Sequence, residues 1–189
     1  MADVVLLCGS PRKNSNTMEV LEICAEEIEK QGLSTEILSL RGKQIQSCIA
    51  CLKCREKGNC VLNDDLDEII DKIREADGFI PGAPVYFGTA RGDMMAALQR
   101  IGYVSRGTDL FLSWMVGGPI AVGRRGGQSL TIQEMGMFFP INEMITIGAD
   151  YWNMVFALEE GTASADAEGI GTIKKFATNV AKLIKKVRD

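Results

Sequence analysis

Short aliphatic runs alternate with segments of helical period along this chain, and no pair of strand-like runs is joined by a hairpin signal. Residues 4–7 form the first such run, closed by the turn formers Gly9, Ser10 and Pro11. An unbroken aliphatic run of this length predicts a parallel strand buried on both faces. Met18, Leu21, Ile23, Cys24 and Ile28 then recur at helical spacing until Gly32. Further strands are predicted at 35–40, 78–83, 119–122 and 144–147. Helices are predicted through Leu66–Ile73, through Met94–Ile101, over roughly 130–139 and over about 166–187. Strands alternating with helices imply right-handed crossovers. The expected fold class is therefore α/β: a five-stranded parallel sheet in the order 2-1-3-4-5 with helices on both faces.

A chain of 189 residues, 46% hydrophobic and 24% charged, fits one domain over residues 1–189. Its formal charge of -4 argues against a nucleic-acid partner, because binding phosphate backbones needs a basic face. The start of the chain lacks a basic region before its apolar run, and no later stretch is apolar enough to span a bilayer, so we expect no membrane partner and a cytoplasmic protein. Histidine is absent, which removes His-dependent catalytic triads and leaves any metal site to sulfur or carboxylate. Four of the six cysteines cluster at Cys48, Cys51, Cys54 and Cys60, inside an aperiodic loop at about 41–63. A loop that long is expected to be functional rather than filler.

The first strand is followed by Gly9-Ser10-Pro11-Arg12-Lys13-Asn14-Ser15-Asn16-Thr17 at the start of a helix. Backbone N–H groups there carry partial positive charge, the hydroxyls of Ser10, Ser15 and Thr17 can donate, and Arg12 adds a charged fork. The competing reading is that Ser15 or Asn16 only caps the helix. Position favours an anion site, because ligands of open α/β sheets bind beyond the strand carboxyl ends. No Gly-x-Gly-x-x-Gly and no Walker lysine motif is present, so a mononucleotide fits better than a dinucleotide or a triphosphate.

Gly9-Ser10-Pro11-Arg12 with Ser15-Asn16-Thr17 resembles the phosphate loop of the NADPH-dependent FMN reductases, a branch of the flavodoxin-like superfamily. Ala83-Pro84-Val85-Tyr86-Phe87-Gly88 is similar to the family loop that wraps the flavin ring. Gly123-Arg124-Arg125-Gly126-Gly127-Gln128 resembles the glycine-rich turn beside the isoalloxazine. The cysteine motif narrows the resemblance to the iron–sulfur flavoproteins, and the motifs stand in the family's order over nearly the whole chain. The resemblance implies FMN held by Ser10, Arg12, Ser15, Asn16 and Thr17 at its phosphate, by Pro84, Val85, Tyr86, Phe87 and Gly88 at its ring, and by Gly123, Arg124, Gly126 and Gly127. It also implies an electron-transfer oxidoreductase with ferredoxin or NAD(P)H as donor, a small-molecule acceptor, and a homodimer or homotetramer.

Four thiolates with two short x-x spacings and one longer arm suit a [4Fe–4S] cluster, with Cys48, Cys51 and Cys54 converging and Cys60 closing the set. Gly58 allows the tight return. Zinc sites more often use two separated pairs, and unligated or disulfide-linked thiols are the remaining reading. Cys8 and Cys24 fall on core positions, and the aromatic Trp152 is a candidate either for the flavin or for ordinary packing.

Overall fold

The computed structural model of the chain describes residues 2–188. The sheet begins with β1 (Val4–Cys8), which pairs in parallel with β2 (Thr35–Ser39) on one side and with β3 (Gly78–Tyr86) on the other. The predicted fourth strand is two segments, β5 (Val116–Gly117) and β6 (Ile120–Gly123), both parallel to β3. The fifth is β7 (Ile145–Thr146) beside β5 and β8 (Met154–Phe156) beside β6. Taken as five strands, the order is 2-1-3-4-5 as expected, although the sheet holds eight segments.

The interruptions have local causes. The β3 ladder lapses between Phe79↔Gly117 and Gly82↔Ile120, where Pro81 and Pro119 stand without N–H donors. Gly117 is required in the same stretch: a Cβ there would lie 1.9 Å from the Phe79 carbonyl oxygen. The fifth strand instead carries extra residues, so that Gly117↔Thr146 is followed by Ala121↔Met154.

The expectation of no hairpin is corrected. β4 (Thr89–Ala90) folds back antiparallel onto the end of β3 through Phe87 and Gly88, both at positive φ (51° and 88°). Two central residues at positive φ make a tight turn matched to strand twist. Phenylalanine in place of the usual Asn, Asp or Gly concealed it.

Helices cover both faces. Val4, Leu6 and Cys8 point into one core with α1 (Asn16–Lys30) and α7 (Ala167–Arg188). Val5 and Leu7 point into the other with α3 (Asp67–Arg74) and α4 (Gly92–Gly107). Alternate β1 residues thus feed opposite cores, which is why the strand is aliphatic throughout. The helix predicted at 130–139 is divided into α5 (Gln128–Gly136) and the single turn α6 (Phe138–Ile141). Another single turn, α2 (Cys54–Lys57), lies inside the cysteine loop. Among the described residues no helix is long and apolar enough to cross a membrane.

Candidate functional site

Gly9 leaves β1 with its N–H bonded to the Gly82 carbonyl at 2.8 Å, which fixes the loop beside β3. Ser15 is extended (φ -91°, ψ 147°) and caps α1, its Oγ accepting the Met18 N–H at 3.1 Å. The first backbone bond of the helix runs from the Glu19 N–H to the Ser15 carbonyl at 3.0 Å, so the amides of Asn16 and Thr17 precede it. Ser10 and Thr17 are buried beneath the loop, and Ser10 Oγ accepts the Arg12 N–H at 3.4 Å. Burial raises the pKa of Cys8 below this loop, and hydrogen bonds with the Ser10 backbone and the Ser15 side chain only partly offset it. Cys8 therefore remains a protonated core thiol.

Asn16 lines the cleft while its side-chain amide bonds within the fold. Its Nδ2 donates to the Glu159 carbonyl at 2.7 Å and its Oδ1 accepts the Thr162 N–H at 2.9 Å. Both ends of the amide hold the segment after β8 against the start of α1, leaving the Asn16 backbone N–H as its free donor toward an anion.

The second and third loops meet because of Gly127. It starts α5 at φ 90°, and a Cβ there would come within 2.8 Å of Val85 Cγ1 and 2.9 Å of the Gly88 Cα. Buried Gln128 closes the same turn, its Nε2 donating to the Gly123 carbonyl at 3.2 Å. Glu134 accepts the Ala90 N–H at 2.9 Å and ties the hairpin to α5.

A cleft of about 390 Å³ opens between the three loops. Ser10, Arg12, Ser15, Asn16 and Thr17 line one end of it. Pro84, Val85, Tyr86, Gly123 and Arg124 line the rest. Phe87, Gly88, Gly126 and Gly127 lie outside this lining: Gly88 and Gly127 form the packed joint behind it, and the Phe87 ring is fully exposed at the hairpin tip. The Trp152 ring is exposed, packs edge-on against Tyr151 at 4.8 Å, and is not part of the cleft. Sequence reasoning missed Ala157, Leu158 and Glu160, which complete the cleft at the end of β8. The short apolar run Met154-Val155-Phe156 was the available signal.

The cysteine loop forms a separate place. Cys48, Cys51, Cys54 and Cys60 all line one small cavity with about 20 Å³ of free space, walled by Arg100, Tyr103 and Val104 of α4. Among the described residues no three thiol or carboxylate side chains approach closely enough to share a single metal ion. Ala50 and Leu52 adopt left-handed backbone (φ 54° and 58°), which curls the chain between successive cysteines. The Ala50 N–H donates to Cys48 Sγ at 3.4 Å, and Cys54 Sγ donates to the Tyr103 carbonyl at 3.6 Å. Gly58 (φ 78°) ends α2, and its carbonyl accepts from Arg74 Nη2 at 3.1 Å. Burial raises the Cys54 pKa, and the nearby Cys60 and Cys51 sulfurs raise it further while backbone hydrogen bonds oppose them.

The sequence model for NADPH-dependent FMN reductase matches residues 2–159. The chain belongs to that family. It is therefore an FMN-dependent oxidoreductase of flavodoxin-like fold. An iron–sulfur flavoprotein of Methanocaldococcus jannaschii is 36% identical over 98% of each chain. An iron–sulfur flavoprotein of Methanosarcina thermophila is 33% identical over 97% of each. Among solved structures, a WrbA-like flavodoxin from Agrobacterium tumefaciens superposes with a TM-score of 0.69 at 15% identity, covering 98% of this chain and 99% of that one.

Proposed function

We propose that this chain is a cytoplasmic, single-domain electron-transfer oxidoreductase that holds FMN in the three-loop cleft and a [4Fe–4S] cluster on Cys48, Cys51, Cys54 and Cys60. The observation that carries the reading is that all four motif cysteines line one cavity, apart from the cleft where the phosphate and flavin loops meet. A four-iron cube takes four thiolates, and the donor set gathered around this cavity is four cysteines. The N–H···S bond at Cys48 and the left-handed turns at Ala50 and Leu52 fit a loop that wraps a bulky anionic object.

FMN and the cluster supply the redox chemistry, storing up to two electrons and passing single electrons respectively. The chain supplies grip and orientation. Ser10, Ser15 and Thr17 with the first amides of α1 hold the phosphate, and Arg12 adds charge beside it. Pro84, Val85 and Tyr86 face Gly123 and Arg124 across the ring end, with the packed Gly88–Gly127 joint fixing the separation. The donor is ferredoxin or NAD(P)H and the acceptor a small molecule. The working unit is a homodimer or homotetramer, for which the exposed Met137 and Ile141 beside the groove between α4 and α6 offer apolar surface.

The alternative is an NAD(P)H-dependent FMN or quinone reductase with no functional cluster. Anaerobically reconstituted protein should be mixed with reduced ferredoxin and, separately, with NADPH while flavin bleaching is followed. Fast bleaching by ferredoxin that is lost in Cys51→Ser supports the cluster route. Bleaching by NADPH alone, at equal rates in the parent and in Cys51→Ser, would establish the plain reductase.

A further inference from the structure

Arg100 is a fully buried cation in the middle of α4, with its side chain 1% exposed. Burying a charge costs several kcal/mol unless its partners compensate. The Nη end of the guanidinium is well served. Nη1 and Nη2 reach the buried Asp64 carboxylate at 2.5 and 2.9 Å, and Nη1 also donates to the Gln46 carbonyl at 3.2 Å. Asp64 in turn accepts the Gln46 N–H at 2.9 Å. Gln46 precedes Cys48 and Asp64 follows Cys60, so this pair clips together the two ends of the cysteine loop.

The pair leaves one group unexplained. Arg100 Nε is buried and has no hydrogen-bond partner among the described residues. Arg100 also walls the cysteine cavity, and the Cys60 thiol stands beside its guanidinium. An ion pair needed only for folding would require nothing beyond Asp64.

We propose that Arg100 is a positioning residue for the cluster: with the cluster bound, its now unpartnered Nε–H donates to the Cys60 sulfur, seats Cys60 as the fourth ligand, and makes the cluster easier to reduce. The inference rests on the cluster reading above. One-electron reduction of a bound cluster would add one negative charge to the iron–sulfur core that the four thiolates hold. A guanidinium held beside them in a water-poor cavity stabilises that charge, and hydrogen bonds to ligand sulfur raise the reduction potential.

The test is an anaerobic redox titration of reconstituted holoprotein, following cluster and FMN separately. Arg100→Lys keeps a cation for Asp64 but removes the Nε donor. Arg100→Met combined with Asp64→Asn removes both charges together and guards against a fold lost to an unpaired buried carboxylate. The double variant should lower the equilibrium constant for cluster reduction about tenfold, about 59 mV for one electron. Arg100→Lys should fall between it and the parent, and the FMN potential should stay in place. Iron-loaded variants whose cluster potential equals that of the parent would overturn the role of Arg100 and leave the cluster standing. A parent chain that takes up no iron and sulfide would overturn both, a separate and recognisable result.

Discussion

At the scale of single residues, the cleft depends on a few donors whose loss can be measured. Ser10 is buried where β1 gives way to the loop, and its hydroxyl has no rival carboxylate to serve. A hydrogen bond to a charged group contributes about 1.5–3 kcal/mol. Ser10→Ala should therefore weaken FMN binding about tenfold or more in a fluorescence titration, with thermal stability little changed. Unchanged affinity would remove Ser10 from the site. Cys51 is exposed at the mouth of its cavity, so Cys51→Ser should abolish iron incorporation and leave FMN content near that of the parent. Equal loss of both cofactors would contradict separate sites. Gly127→Ala combines a positive φ with contacts below 3.0 Å, so it should cost about 1–3 kcal/mol in urea unfolding and loosen FMN as well.

Elements explain what the sequence made legible. The β1 strand was readable because both faces are buried, so its residues are uniformly apolar. The start of the first helix was readable because Ser15 caps it, and the same Ser, Thr and Asn chemistry is what the proposed phosphate site would use. That overlap also hid a second part played by Asn16, whose amide bonds to the chain after β8. The hairpin escaped because Phe87 occupies a turn position usually held by Asn, Asp or Gly. The β8 segment escaped because extra residues separate it from β7, and with it went Ala157, Leu158 and Glu160 of the cleft wall.

The last helix is anchored by charge as well as by packing. Arg188 of α7 pairs with Asp3 before β1 and with Asp77 before β3, its Nε meeting Asp77 Oδ2 at 3.1 Å. Hydrogen bonds from Ser34 and Arg188 lower the Asp3 pKa from 3.8 to about 2. The folded value lies below the unfolded one, so the unfolded chain binds more protons between them. The contribution of Asp3 is therefore complete above the unfolded pKa and is lost as pH falls through the folded one. Asp3→Asn should be less stable than the parent at neutral pH, and the gap should close as denaturation is measured down to about pH 2. A constant gap across that range would show that Asp3 acts through packing alone.

On the scale of the whole molecule, the carboxyl ends of the strands gather the cleft proposed for FMN, while the loop after β2 forms the second cavity against α4. The order of the strands and the place of the cleft were legible from sequence. The burial of Arg100 was not, because it depends on Asp64, a neighbour distant in the chain. Exposed Met137 and Ile141 flank the groove between α4 and α6. Light scattering of the parent should give a dimer or tetramer, and Met137→Lys with Ile141→Lys should shift it toward monomer. A monomeric parent would contradict the proposed assembly.

The most direct test of the two-cofactor account is to measure iron, acid-labile sulfide and FMN together on anaerobically purified protein. The account predicts about four irons and four sulfides for each FMN, with broad cluster absorption beneath the flavin bands. Full FMN occupancy without iron or sulfide, persisting after anaerobic reconstitution, would contradict it.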